Sequence, residues 1–306
     1  LDQILWVLES VDPFIFSLTF IIAFLGTAVY SMVWQSLLKI LSIKIAFRKI
    51  FLFMWVGAFV DIIIPFETVS SEITRAYLVY KTTNENTGKV AASIISHRIL
   101  TMGVTVAGLV VSSISLILQY KFYDPFVLTF VAIIVVCAIF VISFLTYLSF
   151  REKLTKKMLN IVFKFFKFIS RGHWDLTRWE STIQEMLREY HEGIDTLKEH
   201  PREIILPIIL AVIAWFSDLL ITLLVFYALH VGIPLPSLIV AYSINVSIPM
   251  IPITMQGVGP SEIIMTALYT LFIPAPPQQV AAISASVTLL TRIVTCLLYT
   301  SDAADE

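Results

Sequence analysis

Four stretches of the chain, residues 14–34, 99–118, 126–150 and 204–230, each run for at least twenty residues with one charged side chain, Asp218, among them all. At 1.5 Å of rise per residue each is long enough to cross a hydrocarbon layer as a helix, the form in which a spanning segment satisfies its own backbone. An all-α integral membrane protein is therefore expected. Composition agrees, because 58% hydrophobic and 14% charged residues lie far from the soluble averages of about 45–50% and about 25%. A fifth span is expected at about 279–299, and two shorter apolar segments, 51–65 and 237–252, end at Pro65 and Pro252.

The formal charge of −1 leaves no concentrated basic surface for nucleic acid. The two cysteines, Cys137 and Cys296, provide neither a disulfide framework nor a metal constellation. None of the five histidines stands in an H-E-x-x-H pattern, and neither a G-x-S-x-G elbow nor a P-loop occurs. A cofactor or nucleotide is not expected.

Charge placement sets the topology. Lys39, Lys44, Arg48 and Lys49 follow the first span, whereas Asp2, Glu9 and Asp12 precede it without a Lys or Arg. The positive-inside bias places the N-terminus outside and residue 40 inside, in a multi-pass plasma-membrane protein. Segment 151–203 holds eleven Lys and Arg and belongs inside too. A full crossing by 51–65 would put that loop on the wrong side. Residues 51–80 are therefore expected to enter and return as a re-entrant pair of half-helices, interrupted at Pro65 and followed by Glu67, Glu72 and Arg75. Broken backbone at membrane depth is tolerated only where protein buries it or it lines a cavity. An ordinary solvated loop over 66–89 is the competing reading.

A second copy supports the broken-helix reading. Laying residues 71–98 on 261–288 without gaps gives eight identities in 28 positions, among them the triplet Ser71-Glu72-Ile73 with Ser261-Glu262-Ile263 and the pair Ala91-Ala92 with Ala281-Ala282. Arg98 lies 26 residues after Glu72 and Arg292 lies 30 after Glu262, a drift of about one helical turn. With 204–230 crossing outward, the second broken segment enters from the opposite face, which is the inverted-repeat arrangement of many transporters. The expected fold is a polytopic helical bundle with about five full crossings and two re-entrant broken-helix hairpins.

Segment 151–203 is an amphipathic cytoplasmic insertion. Lysines alternate with Phe163, Phe165, Phe166 and Phe168, a pattern suited to an anionic headgroup layer. Trp179, Ile183, Met186, Leu187, Tyr190, Ile194 and Leu197 then recur at helical spacing. A hairpin packed on the bundle and a lipid-contacting element fit equally well. The last eleven residues, Cys296–Glu306, spell one frame of a widely used transposase sequencing adapter. The membrane domain is accordingly expected over 1–295, with 296–306 a non-native tail.

Ionisable groups at membrane depth are costly and tend to be functional. The candidates are Glu72, Arg75, Arg98, Glu262 and Arg292, with Asp61 and Asp218 as secondary polar sites. Arg75 follows Glu72 by three residues, so the two share a helix face and can pair. An arginine fork also suits a phosphate-bearing head group. Gly257 and Gly259, before Pro260 and Ser261, let the chain bend and open a helix N-terminus toward an anion. Elsewhere tyrosine and tryptophan read as interfacial anchors.

The order of a proline-broken helix, Glu72-x-x-Arg75, an alanine-rich helix with Arg98, a cytoplasmic amphipathic stretch, then Pro252-x₄-Gly257-x-Gly259-x-x-Glu262 and Arg292 resembles the lysylphosphatidylglycerol synthetase transmembrane, flippase-like family. The first element of that family usually reads Pro-x-Arg-x-Gly-Glu-x-x-Arg. Here Ser71 precedes the glutamate, and Val258 separates two glycines that are usually adjacent. The resemblance implies a lipid-handling membrane domain without an aminoacyl transferase. It would move an anionic phospholipid or polyprenyl-phosphate lipid between leaflets, with Glu72, Arg75, Arg98, Gly257, Gly259, Glu262 and Arg292 along the head-group path. Intramembrane head-group chemistry by Glu72 or Glu262, and a non-catalytic membrane subunit, are the alternatives. The resemblance leaves room for a lipid-modifying or glycosyltransferase partner and for a homo-oligomer.

Overall fold

The computed structural model of the chain describes residues 7–64, 69–120, 125–169, 177–247, 259–274 and 276–301, in which helices and no strands occur. The helices are α1 (Pro13–Ile40), α2 (Phe47–Ile63), α3 (Val69–Thr83), α4 (Thr87–Tyr120), α5 (Pro125–Phe150), α6 (Glu152–Ile169), α7 (Thr177–Glu199), α8 (Ile205–Ala228), α9 (Leu235–Ser247), α10 (Pro260–Phe272) and α11 (Pro277–Ser301). By length and apolarity α1, α4, α5 and α8 suffice to cross a membrane, and α11 contains a shorter apolar stretch, Gln279–Thr295. The architecture is the expected polytopic helical bundle. Pro65, Glu67, Pro252 and Gly257 lie outside the described residues, as do the side chains of Phe163, Phe165, Phe166 and Phe168.

The centre of the bundle is the α1/α8 pair. Asp12 caps α1 by accepting from the N–H groups of Phe14 and Ile15 at 2.9 and 3.1 Å, with Pro13 in the first turn. The backbone N–H of Asp12 donates to the carbonyl of Ala228 at 2.8 Å. Further along, Gly26 lies against Ser217 and Asp218. The start of one helix thus meets the end of the other, and the pair runs antiparallel.

Two apolar clusters mark opposite ends of α1. One gathers Trp34, Leu37, Leu38 and Ile40 with Ile50, Val79 and Val90, and with Leu187, Tyr190, Ile194 and Leu197 of α7. The other gathers Val7, Val225, Phe226 and Leu229 with Leu238, Tyr269, Phe272 and Val280. The first cluster joins the start of α2 to the end of α3, so this hairpin enters and returns at the residue-40 end. Its helices are antiparallel, because Asp61 meets Ser70 and Ser71 while Gly57 meets Ser71 and Arg75. The second cluster joins the start of α9 to the end of α10 at the other end of the bundle. The two broken pairs therefore point toward each other.

The repeat extends beyond the aligned segment. An offset of 190 residues carries the bounds of α1, 13–40, to 203–230, against Ile205–Ala228 for α8. It carries the start of α3 to 259, against Pro260 of α10, and the start of α4 to 277, which is Pro277 of α11. Three helices of the first half thus have counterparts in the second.

One helix departs from its expected boundary, and one open expectation is decided. Helix α4 starts at Thr87 rather than near 99, because its polar first turns are covered by α7 and by α3. Helix α7 packs on the bundle: Leu187, Tyr190, Ile194 and Leu197 are buried in the first cluster. The N–H of Gly88 donates to the Glu189 carboxylate at 3.2 Å, and the hydroxyls of Ser149 and Tyr190 are 2.5 Å apart.

Candidate functional site

A cavity of roughly 280 Å³ opens among α1, α2, α3, α4, α5 and α9. Helical spacing explains which side chains reach it. Met54, Ala58 and Asp61 occupy one face of α2, Ser71, Glu72 and Arg75 one face of α3, and His97, Arg98, Thr101 and Thr105 one face of α4. Tyr30 of α1 and Tyr242 of α9 complete the polar wall, while Met102, Val106 and Ala138 supply apolar surface.

Asp61 works across the helix break. Its Oδ1 accepts from the Ser70 hydroxyl at 2.6 Å and the Ser71 N–H at 2.8 Å. The last turn of α2 thereby satisfies orphan donors at the start of α3, which holds the hairpin together without a continuous backbone ladder. The negative charge of Asp61 also sits where the α3 dipole favours it.

Arg75 is buried yet makes no ion pair with Glu72. Its guanidinium lies over the Trp34 ring, 5.2 Å from the centroid, and one nitrogen is 3.2 Å from the Met54 sulfur. The Trp34 indole N–H is fixed in turn by the Ser93 hydroxyl at 3.0 Å. The pairing expected from the three-residue spacing fails because the Arg75 stem turns toward α1 and α2, where an aromatic face and a thioether receive it. Arg75 Nε and His97 Nε2 are buried without a hydrogen-bond partner among the described residues. Neither Glu72 nor Arg98 is joined by hydrogen bond or ion pair, through its side chain, to another described residue. The cavity is thus lined by two arginines and by a glutamate that engages no other described residue, with Met54, Ala58, Met102, Val106 and Ala138 between the polar side chains.

Asp218 sits one side chain behind the wall. Its Oδ2 accepts from Tyr30 at 3.0 Å and from Tyr242 at 2.8 Å.

The structure brings Asp61, Glu72, Arg75 and Arg98 to this cavity, with Asp218 behind it, and does not bring Glu262, Arg292 or Gly259 there. Glu262 and Arg292 instead join α10 to α11, with Arg292 Nε donating to Glu262 Oε1 at 2.6 Å. Glu262 Oε2 accepts from the Gly259 N–H at 2.6 Å, so the third residue of α10 reaches back to its own cap. Below the ion pair the hydroxyls of Thr266 and Thr288 are 3.4 Å apart and those of Thr270 and Ser284 are 3.2 Å apart. This antiparallel polar ladder joins α10 to α11. Gly259 has φ +94°, the left-handed range that favours glycine.

Tyr30, Tyr242 and Trp34 were expected as interfacial anchors, and they are instead interior groups built into the cavity and its support. Sequence carries one usable signal for them: each lies on the same helix face as other polar side chains, Tyr30 with Thr27 and Tyr242 three residues before Asn245. His97 adjoins Arg98 and shares the cavity with it. Among the described residues no cluster of His, Cys, Asp and Glu is arranged to hold a metal ion.

This arrangement has relatives. A UPF0104 membrane protein of Methanocaldococcus jannaschii is 25% identical over 302 residues, covering 98% of this chain and 86% of that one. One from Pyrococcus horikoshii is 22% identical over 275 residues, covering 88% and 79%. Another, from Methanothermobacter thermautotrophicus, is 21% identical over 290 residues, covering 94% and 82%. No solved structure matches the chain. The family described as the lysylphosphatidylglycerol synthase TM region matches residues 1–300, and with a match of that extent the chain belongs to this family of membrane proteins.

Proposed function

We propose that the protein translocates a lipid with an anionic, phosphate-bearing head group between leaflets, acting as a transporter rather than an enzyme. An anionic phospholipid and a polyprenyl-phosphate-linked lipid share the required chemistry. The observation that carries the reading is the cavity that Arg75, His97 and Arg98 line together, with no hydrogen bond or ion pair to the Arg98 side chain among the described residues. Guanidinium groups recognise phosphate oxygens through charge-assisted hydrogen bonds. A space of roughly 280 Å³ admits a head group, while two acyl chains would remain in the bilayer. Opposed broken helices are the geometry from which alternating access is built in other transporters. In this reading the protein sits in the plasma membrane with its N-terminus outside and the basic segment 151–203 inside.

The test is leaflet exchange of fluorescent phosphatidylglycerol and phosphatidylcholine in proteoliposomes. Exchange of the anionic lipid that falls on replacing Arg98 by alanine is the expected result. New lipid mass without redistribution would move the reading to head-group chemistry. The absence of both would overturn the reading.

A further inference from the structure

Asp218 stands near the middle of α8, and its described contacts are unlike those of the other membrane carboxylates. Asp61 is spent on a helix start and Glu262 on an arginine. Asp218 takes both of its hydrogen bonds on Oδ2 from phenols, Tyr30 of α1 and Tyr242 of α9. Among the described residues no Lys, Arg or His forms an ion pair with it. The residue is half-buried. Both phenols line the cavity, and the Tyr30 ring also packs edge-on against His97, 6.2 Å between centroids. Among the described residues the titratable groups bonded to Asp218 are Tyr30 on α1 and Tyr242 on α9. Beyond those phenols the cavity is lined by Asp61 on α2, Glu72 and Arg75 on α3, and His97 and Arg98 on α4, and on α11 Arg292 is held by Glu262.

A phenol has one proton to donate. Tyr30 and Tyr242 cannot give theirs to Asp218 and to an anion in the cavity at once. An anionic oxygen entering the cavity competes for those protons and places a second negative charge near the carboxylate. A carboxylate at membrane depth without donors or a cation is strongly disfavoured. Taking one proton from water onto a carboxyl oxygen removes the charge, and the resulting O–H donates to the phenol oxygen that had been its donor. No other bond forms or breaks.

We propose that Asp218 is a proton-binding site coupled to the cavity through Tyr30 and Tyr242, so that one proton is taken up as each anionic head group binds. The proposal rests on the translocation reading and adds its coupling ion. By linkage, affinity for the anionic lipid rises up to about tenfold per unit fall in pH over the range in which the proton is taken up.

The experiment is calorimetric titration of the detergent-purified protein with short-chain phosphatidylglycerol at one pH in two buffers of different ionisation enthalpy. The difference in heat gives protons taken up per lipid bound, a ratio independent of how much lipid binds. The expected result is about one proton for the wild-type protein and close to none for Asp218→Asn. Tyr242→Phe removes the switch from the donor side and should lower the ratio as well, which keeps the test intact where the Asp218 variant fails to fold. Lipid binding without proton uptake, or uptake that persists in Asp218→Asn and vanishes in Glu72→Gln, would overturn the proposal while leaving translocation standing. Absence of both binding and fluorescent-lipid exchange would overturn the translocation reading and this proposal with it.

Discussion

In the first half of the chain Glu72 stands at a cavity wall with its carboxylate unengaged, whereas in the second half the equivalent Glu262 is held at both oxygens by Arg292 and the Gly259 N–H. The surrounding positions explain the difference. The 190-residue offset places Met265 where the first half has Arg75, Val287 where it has His97, and Thr288 where it has Arg98. Those three are buried in packing, with Thr288 bonded to the Ser284 carbonyl at 2.8 Å. Glu262 finds its cation one turn further along α11. The same backbone plan thus yields an open polar site where cations and a histidine face the hairpin, and a closed clasp where the uncharged Met265, Val287 and Thr288 replace them. The shared plan supplies the scaffold, and the side chains at three positions decide which copy keeps an open cavity.

The sharpest way to break this comparison is to exchange the roles of the two arginines. Arg98→Ala should lower exchange of anionic lipid by about tenfold or more, the effect of losing one charge-assisted contact worth about 1.5–3 kcal/mol. Its thermal midpoint should stay near wild type, since no described residue depends on that guanidinium. Arg292→Ala should lower the thermal midpoint and leave the ratio of anionic to zwitterionic exchange unchanged. A selective loss of anionic exchange in Arg292→Ala would put the second hairpin on the path after all.

The two hairpins also need glycine for different reasons. A Cβ on Gly57 would sit 2.8 Å from the Ser71 hydroxyl and 3.2 Å from Arg75 Cγ, whereas a Cβ on Gly259 would meet nothing within 4 Å. Gly57→Leu should therefore cost about 1–3 kcal/mol through overpacking and should push Arg75 off Trp34. Gly259→Ala should cost about 1–2 kcal/mol through backbone strain at φ +94°. Tryptophan fluorescence separates the two, because the Gly57 variant should alter the Trp34 signal and the Gly259 variant should leave it unchanged.

Much of this plan was legible before any coordinates. The long spans follow from apolar length, and the first hairpin follows from counting crossings between two basic segments, an argument that needs no contact information. The shared Ser-Glu-Ile element pointed to the repeat. Contacts between distant helices were not legible. Glu72 and Arg75 share a face of α3, but a three-residue spacing cannot tell that Trp34, some forty residues earlier, offers the arginine a better seat. Tyr30, Asp218 and Tyr242 lie on three helices and meet only through tertiary packing, so tyrosines that look like interfacial anchors become the wall of a cavity.

A double-mutant cycle on thermal stability measures the clasp directly. Glu262→Ala and Arg292→Ala should couple by about 1 kcal/mol, in keeping with a partly exposed ion pair. Glu72→Ala and Arg98→Ala should couple by only a few tenths, because no bond joins them. Equal coupling in both cycles would mean that the first pair closes as the second does and that the open state is one of two.

The smallest expected effect concerns the helix break itself. Asp61 accepts at one oxygen from Ser70 and from the Ser71 N–H, and an asparagine carbonyl oxygen can accept the same two bonds. Asp61→Asn should therefore cost only a few tenths of a kcal/mol, whereas Asp61→Ala should cost about 1 kcal/mol, the ordinary loss of a helix cap. The charge matters less than the acceptor if the role of Asp61 is to join α2 to α3. Lipid exchange should follow the same order, with the asparagine variant near wild type and the alanine variant reduced. Equal loss in both variants would mean that the negative charge of Asp61 acts on the cavity and not only on the hairpin, giving the first half a second functional carboxylate beside Glu72.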